Sequence, residues 1–242
     1  MTYSIIGILA SIILLITNRD LLWKKDKKRL TRVERNYRRF LLGVLVYYIT
    51  DAFWGILEDL RLTAVVYADT VIHFTAMAAA VMLWTMYVIS YLEGGGAFEK
   101  FLFYAGRILF AFELVVIIIN FFSPIMFWFD KDGVYQAGPA RYALLLIQII
   151  MFLLTSVHTL IKASNTSGRV RTRHLTIGLF GIAMILLISI QLFYPLLPFY
   201  AIGYMLGTSL LHSFVVVACG FKALFSLAPV APFAVDYFLC NF

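Results

Sequence analysis

Tyr47-Tyr48-Ile49-Thr50-Asp51-Ala52-Phe53-Trp54-Gly55-Ile56-Leu57-Glu58-Asp59 is the stretch on which the fold of this chain turns. It lies in an apolar run long enough to span a bilayer, yet it carries a carboxylate near the middle of that run and two more at its end. Tyr47, Asp51, Trp54 and Glu58 are spaced 4, 3 and 4, so a helix lines them up as one polar-aromatic stripe. An ionisable group near the centre of a span costs about 2.5–3.5 kcal/mol, so lipid does not accept the stripe. It must face other helices or water.

The rest of the chain makes a membrane setting unavoidable. Of 242 residues 62% are hydrophobic and 14% charged, which leaves too little polar surface for a soluble domain of this size. Seven apolar runs predict seven transmembrane helices, at about 3–23, 40–58, 64–92, 101–129, 140–161, 175–194 and 199–227. Lipid leaves no backbone group unpaired, and the runs lack period-2 alternation, so a helix bundle is expected and not a barrel. The expected fold class is therefore an all-α membrane protein, a seven-transmembrane helix bundle in one domain, 1–227, with a short cytoplasmic tail, 228–242. No basic residue precedes the first run and a strongly basic segment follows it, the reverse of a secretory signal. Cys219 and Cys240 give no disulfide framework.

Charge placement sets the expected orientation. Seventeen of the 20 Lys and Arg residues fall on or beside alternate connections, ten of them from Arg19 to Arg39. The opposite side holds only Arg61, Lys131 and Arg141. The positive-inside rule then places the N-terminus outside and the C-terminus in the cytoplasm of a multi-pass protein of the cell inner (plasma) membrane. The basic first loop acts as this topology signal; alternatively, it recognises anionic lipid or a cytoplasmic partner. Leu30, Val33 and Tyr37 share a helical face, which predicts an amphipathic helix lying on the inner surface. Glu93-Gly94-Gly95-Gly96 is a link without a phosphate-loop ending, and Asp130-Lys131-Asp132-Gly133 is a turn that lacks the remaining calcium ligands.

Polar groups within the runs concentrate on the side away from the basic loops. One reading is that they pair with one another and hold helices together. The other is an outward-facing polar cavity lined by aromatics, with Asp51, Trp54, Glu58, Asp69, His73, Tyr204 and His212 as its ligand-binding residues. Acidic groups predominate there, which favours a cation, an amine or a proton. Asp69, His73 and His212 could ligate zinc if the third and seventh helices met at that depth, although Asp-xxx-His pairs are more often carboxylate–imidazole contacts. Gly203 with Gly207, and Ala76 with Ala80, are small-xxx-small pairs that predict close helix contacts within the bundle. A retinal protein needs a lysine in mid-span of the last helix, and here Lys222 stands near its end. No HExxH or GxSxG motif occurs, so no catalytic residue, metal, cofactor or nucleic-acid partner is expected.

Tyr47-Tyr48-Ile49-Thr50-Asp51-Ala52-Phe53-Trp54-Gly55, followed by Leu83-Trp84-Thr85-Met86-Tyr87-Val88 and an inner Tyr91-Leu92, resembles the seven-helix N-terminal membrane regions of Firmicutes signalling proteins. In those proteins the region precedes a cytoplasmic output module, a GGDEF diguanylate cyclase or a histidine kinase. The similarity runs from about Phe40 to Phe225 and implies a bacterial sensor input domain. After Phe225 the sequence departs from that pattern, because the tail is too short for an output domain. The expected function is a membrane sensor or receptor. It binds a small extracellular ligand, cationic or proton-linked, and relays the change to a cytoplasmic signalling partner. The alternatives are a small proton- or cation-coupled transporter using Glu113 and Asp51, and a metal-dependent intramembrane hydrolase.

Overall fold

A long apolar run becomes helix wherever neither proline nor a turn sequence interrupts it, and the order of elements follows those runs. The computed structural model describes residues 2–24, 30–92, 95–194 and 197–213. In chain order these form α1 (Thr2–Thr17), α2 (Arg19–Leu22), α3 (Arg32–Asp59), α4 (Thr63–Tyr91), α5 (Ala97–Phe122), β1 (Phe127–Phe129), β2 (Tyr135–Ala137), α6 (Pro139–Ser164), α7 (Gly168–Phe193) and α8 (Phe199–Leu211). Five helices, α3 to α7, are long and apolar enough to cross a membrane, and α1 and α8 are shorter apolar helices. At 84% helix, the protein is an all-α, multi-pass membrane bundle. Lys25 to Arg29, the end of the seventh run and the tail 228–242 lie outside the described residues.

Two helix ends differ from the sequence expectation, each for a local reason. Helix α3 begins at Arg32, eight residues before the apolar run, because Thr31 and Glu34 form a reciprocal capping box. With no proline or break between Arg32 and Asp59, the segment carrying Leu30, Val33 and Tyr37 is not a separate surface helix. Leu30 and Tyr37 are buried in the core, and Val33 packs against it. Helix α5 stops at Phe122, where the apolar run continues to 129. Ser123 precedes Pro124 and is held extended at φ −138° and ψ 110°, so the helix ends there.

The freed segment folds back as an antiparallel hairpin in which Phe127 pairs with Ala137, Trp128 with Gln136 and Phe129 with Tyr135. Its turn closes on Asp130, whose Oδ1 accepts the amides of Asp132 and Val134. Gly133 supplies the left-handed φ of 77°. Asn120, on the last turn of α5, anchors the hairpin: its Oδ1 accepts the amides of Met126 and Phe127, and its Nδ2 donates to the Phe127 carbonyl.

Within the bundle α3 packs along α4, α6 along α7 and α1 along α3, while α8 lies against both α7 and α1. The Gly203/Gly207 pair makes the close contact expected of it. A Cβ at Gly207 would overlap the Phe180 ring, and one at Gly203 would sit 2.7 Å from Met184 Sδ. The core is aromatic. Tyr47 packs on Tyr204, Tyr204 on Phe40, Phe40 on Trp84 and Trp84 on Tyr87, so one column of rings runs from the middle of α3 toward its start.

Candidate ligand-binding site

At the hairpin end, α3, α4, α6, α7 and β2 surround a cavity of about 50 Å³. Its polar wall is Asp51 and Trp54 from α3, Thr70 and His73 from α4, Tyr135 from β2, Arg141 from α6 and Gln191 from α7. Phe74, Met77 and Leu145 complete it with apolar surface.

Helical spacing puts these groups where they are. Asp51 and Trp54 stand one turn apart on the face of α3 that meets α4, and Thr70 and His73 are three apart on the answering face. The two walls are stitched together. Trp54 Nε1 donates to Thr70 Oγ1 at 3.1 Å, and Thr50 Oγ1 lies 3.3 Å from His73 Nδ1. The His73 ring lies against Tyr47, with centroids 4.8 Å apart. Asp51 is completely buried.

The hairpin forms the lid of this space. Tyr135 meets Trp54 edge-on at 5.9 Å and stacks on Phe127 at 6.2 Å. Burial pushes the Tyr135 hydroxyl up to about 12, with the nearby Arg141 charge pulling the other way. At the exposed tip, the Val134 amide foremost, then Gln136 and Asp132, hold the Asp130 carboxyl below its ordinary range against a small opposing effect of burial. The turn is thus locked by an ionised aspartate.

Arg141 is the unusual member. It stands in the first turn of α6, just after Pro139 at the helix start, and is only 5% exposed. Its guanidinium lies 5.6 Å from the Tyr142 ring, and its Nη1 has no hydrogen-bond acceptor among the described residues. A guanidinium carries its charge at every physiological pH, and buried donors without partners are rare.

Of the seven residues expected to bind ligand, Asp51, Trp54 and His73 line the cavity. Glu58 is exposed near the end of α3. Asp69 is buried on α4 outside the lining, with Oδ2 unbonded among the described residues. Tyr204 is fully buried behind the wall, packed on Tyr47 and Tyr200. His212 lies elsewhere, its Nδ1 3.2 Å from Asn18 Oδ1. At 1.5 Å per residue it sits roughly 20 Å along the axis from the start of α8, deeper than the cavity floor. Asp69, His73 and His212 therefore do not converge as a zinc set, and no group of three or more His, Cys, Asp or Glu residues among those described could hold a metal ion.

Arg141, Tyr135, Thr70 and Gln191 were not singled out by sequence reasoning as site residues. The signal for Arg141 was present: it is one of three basic residues on the side that the charge rule leaves nearly empty. The other three carried no such mark.

Further polar clusters lie beyond the cavity wall, the first of them joined to it at Gln191. Glu113, fully buried, accepts from Gln148 Nε2 at 3.1 Å; Gln148 Oε1 accepts from Tyr200, and the Tyr200 amide donates to Gln191 Oε1 at 2.7 Å. Near the other end, Glu99 meets His158 at 3.0 Å and Lys162 at 3.9 Å. Compared with known proteins, the chain matches no family model and no curated relative.

Proposed function

We propose that this protein is a membrane sensor that binds a small extracellular ligand, carrying a positive group or a proton, in the cavity at the hairpin end. The observation that carries this reading is the convergence of Asp51, His73 and Arg141 on one void inside an otherwise apolar bundle. Buried ionisable groups are retained in a membrane when they serve a pathway or a ligand, and here two of them, with the half-buried His73, surround a space. The charge asymmetry of the loops supports the hairpin end as the outer one and the basic loops as cytoplasmic.

The ring column supports relay of the signal. It starts at Tyr47, which touches His73 in the cavity wall, and ends among Tyr37 and Tyr87 near the basic end. There the Tyr37 hydroxyl lies within hydrogen-bond distance of Asn18 Oδ1 and the Thr208 carbonyl, tying α3 to the junction of α1 and α2 and to α8. A shift of α3 against α4 on ligand binding would travel along this column to a cytoplasmic partner. Localisation in the plasma membrane follows from the same reading.

Thermal unfolding of the purified protein against a metabolite panel at two pH values tests it. A ligand that raises the melting temperature of the native chain, and fails to do so in Asp51→Asn, is expected. No stabilisation by any compound, together with unchanged stability of Asp51→Asn, would overturn the binding site. A transporter is the second reading. Glu113 and Asp51 are both completely buried carboxylates within the long apolar helices, where coupling groups would stand. Uptake by reconstituted vesicles would decide for it.

A further inference from the structure

We propose that the cavity takes a short-chain monocarboxylic acid, with its carboxyl group on Arg141 and its alkyl end against Phe74, Met77 and Leu145. The inference rests on the reading above that the cavity binds a small ligand, and it narrows the proton-linked branch of that reading to one ligand class.

Arg141 supplies the polar half. It is only 5% exposed, it lines the cavity, and its Nη1 meets no acceptor among the described residues. No carboxylate among those residues forms an ion pair with it. A guanidinium is charged at every physiological pH, and donors left unpaired in the interior are costly. Its planar fork matches the two oxygens of a carboxyl group with two parallel hydrogen bonds. Gln191 adds a second donor to the same wall. Its Oε1 is taken by the Tyr200 amide at 2.7 Å, and its Nε2 has no acceptor among the described residues.

The apolar half lies one turn deeper. Leu145 follows Arg141 by four residues on α6, and Met77 follows His73 by four on α4. Each apolar side chain therefore stands about 6 Å along its helix from a polar one. Both helices enter the bundle from the hairpin end, so Leu145 and Met77, with Phe74, form an apolar floor beneath Arg141 and His73.

A polar head with a short apolar end fits this layering. An inorganic anion leaves the floor uncovered, and an amine brings a second positive charge beside Arg141. Asp51 also lines the space. A carboxylic acid brings its own proton with it, so its entry adds no net negative charge beside that carboxylate. A bound water needs about 10–15 Å³ of such space, so a void of about 50 Å³ holds roughly four non-hydrogen atoms. Acetic acid is of that size and propionic acid slightly larger, while a longer chain would need the hairpin lid to move.

Isothermal titration of the full chain in lipid nanodiscs tests this with acetate, propionate, hexanoate, acetamide and methylamine as probes. Acetate or propionate should bind roughly tenfold or more tighter than methylamine, and than acetamide, which has the same shape without the charge. Hexanoate should bind more weakly than propionate. Arg141→Gln should weaken acetate binding by roughly tenfold to a hundredfold, the size of a hydrogen bond to a charged group. If Arg141→Gln does not fold, Arg141→Lys keeps the charge, loses the fork, and should still bind acetate more weakly. Leu145→Ala deepens the floor and should move the preference toward hexanoate, a change that loss of folding does not produce.

Acetamide binding as tight as acetate, or acetate binding unchanged in the Arg141 variants, would overturn the carboxylic acid and leave the sensor reading intact. So would methylamine binding without carboxylate binding, or hexanoate bound by the native chain as tightly as propionate. If none of the five probes binds, the carboxylic acid falls, and the wider metabolite panel then decides the sensor reading separately.

Discussion

Two buried carboxylates sit within one bundle, and their surroundings differ in kind. Glu113 is enclosed by packing: both its oxygens face Gln148 Nε2, at 3.1 and 3.5 Å, and the Gln148 carbonyl is taken in turn by Tyr200. Asp51 is as deeply buried, but it borders a void that it shares with His73, Gln191 and Arg141. The first arrangement closes a hydrogen-bond chain between α5, α6 and α8, as polar groups do when they hold helices together. The second leaves a guanidinium nitrogen without an acceptor. Pairing without space reads as structure, and charge around space reads as a binding site.

Substitutions should separate the two regions. The largest effect is expected for Gln148→Leu, which strips the donor from Glu113 and the acceptor from Tyr200; it should destabilise by about 3 kcal/mol, the upper range for stranding buried polar groups. Thermal or denaturant unfolding in detergent measures it, and a loss near zero would mean that the Glu113 chain is not a structural lock. Arg141→Met should be neutral to stabilising by roughly 1 kcal/mol, because it removes a buried charge whose donors are incompletely used. The same variant should lose ligand binding. A strong destabilisation without a ligand effect would move Arg141 to the structural class.

The Glu99 cluster at the opposite end sharpens the contrast from a third position. Glu99 meets His158 and Lys162 at the start of α5 and the end of α6, and Lys162 reaches solvent. Glu99 is buried while Lys162 is half-exposed, so Glu99→Gln should cost about 1–3 kcal/mol, the scale of a hydrogen bond to a charged group, and only the Lys162 share should fall as salt is raised. Unfolding midpoints at two salt concentrations check it.

The smallest effect concerns the lid. Asp130 is held below its ordinary value of 3.8 by the Val134 amide and then by Gln136 and Asp132. A carboxylate with a depressed folded pKa stabilises the turn fully above its ordinary value and loses that contribution as pH falls through the folded one. The protection of the Val134 amide, its exchange relative to the intrinsic rate at each pH, should therefore be high at neutral pH and fall only below the ordinary carboxylate range. Asp130→Asn should lower that protection at neutral pH and remove its pH dependence.

Much of this was legible in the sequence. Hydropathy located the long helices, and the 4, 3, 4 spacing on α3 brought Asp51 and Trp54 to one wall, with His73 facing them from α4. Depth counting failed for His212, because helices that start at different heights do not bring equal counts to one level. The hairpin stayed hidden because Phe127-Trp128-Phe129 is as apolar as the helix before it, and only Ser123-Pro124 marks the change. Thr31 and Glu34 announced the true start of α3, but a capping box in a basic loop is masked by the charge around it. Arg141 looks like a topology charge in the sequence, since position alone does not distinguish a flanking arginine from one that a helix start carries into the bundle. Gln191 and Tyr135 reach the cavity only through tertiary packing, which leaves no periodic trace.

Directed labelling asks whether the void is open to the outside and holds a ligand. In a chain with Cys219 and Cys240 replaced by serine, Tyr135→Cys places a thiol at the hairpin wall of the cavity. Intact cells treated with a small membrane-impermeant thiosulfonate should label this thiol, and a stabilising ligand should slow the labelling. Absence of labelling from outside, or labelling that no stabilising ligand slows, would contradict an extracellular ligand site at this end of the bundle.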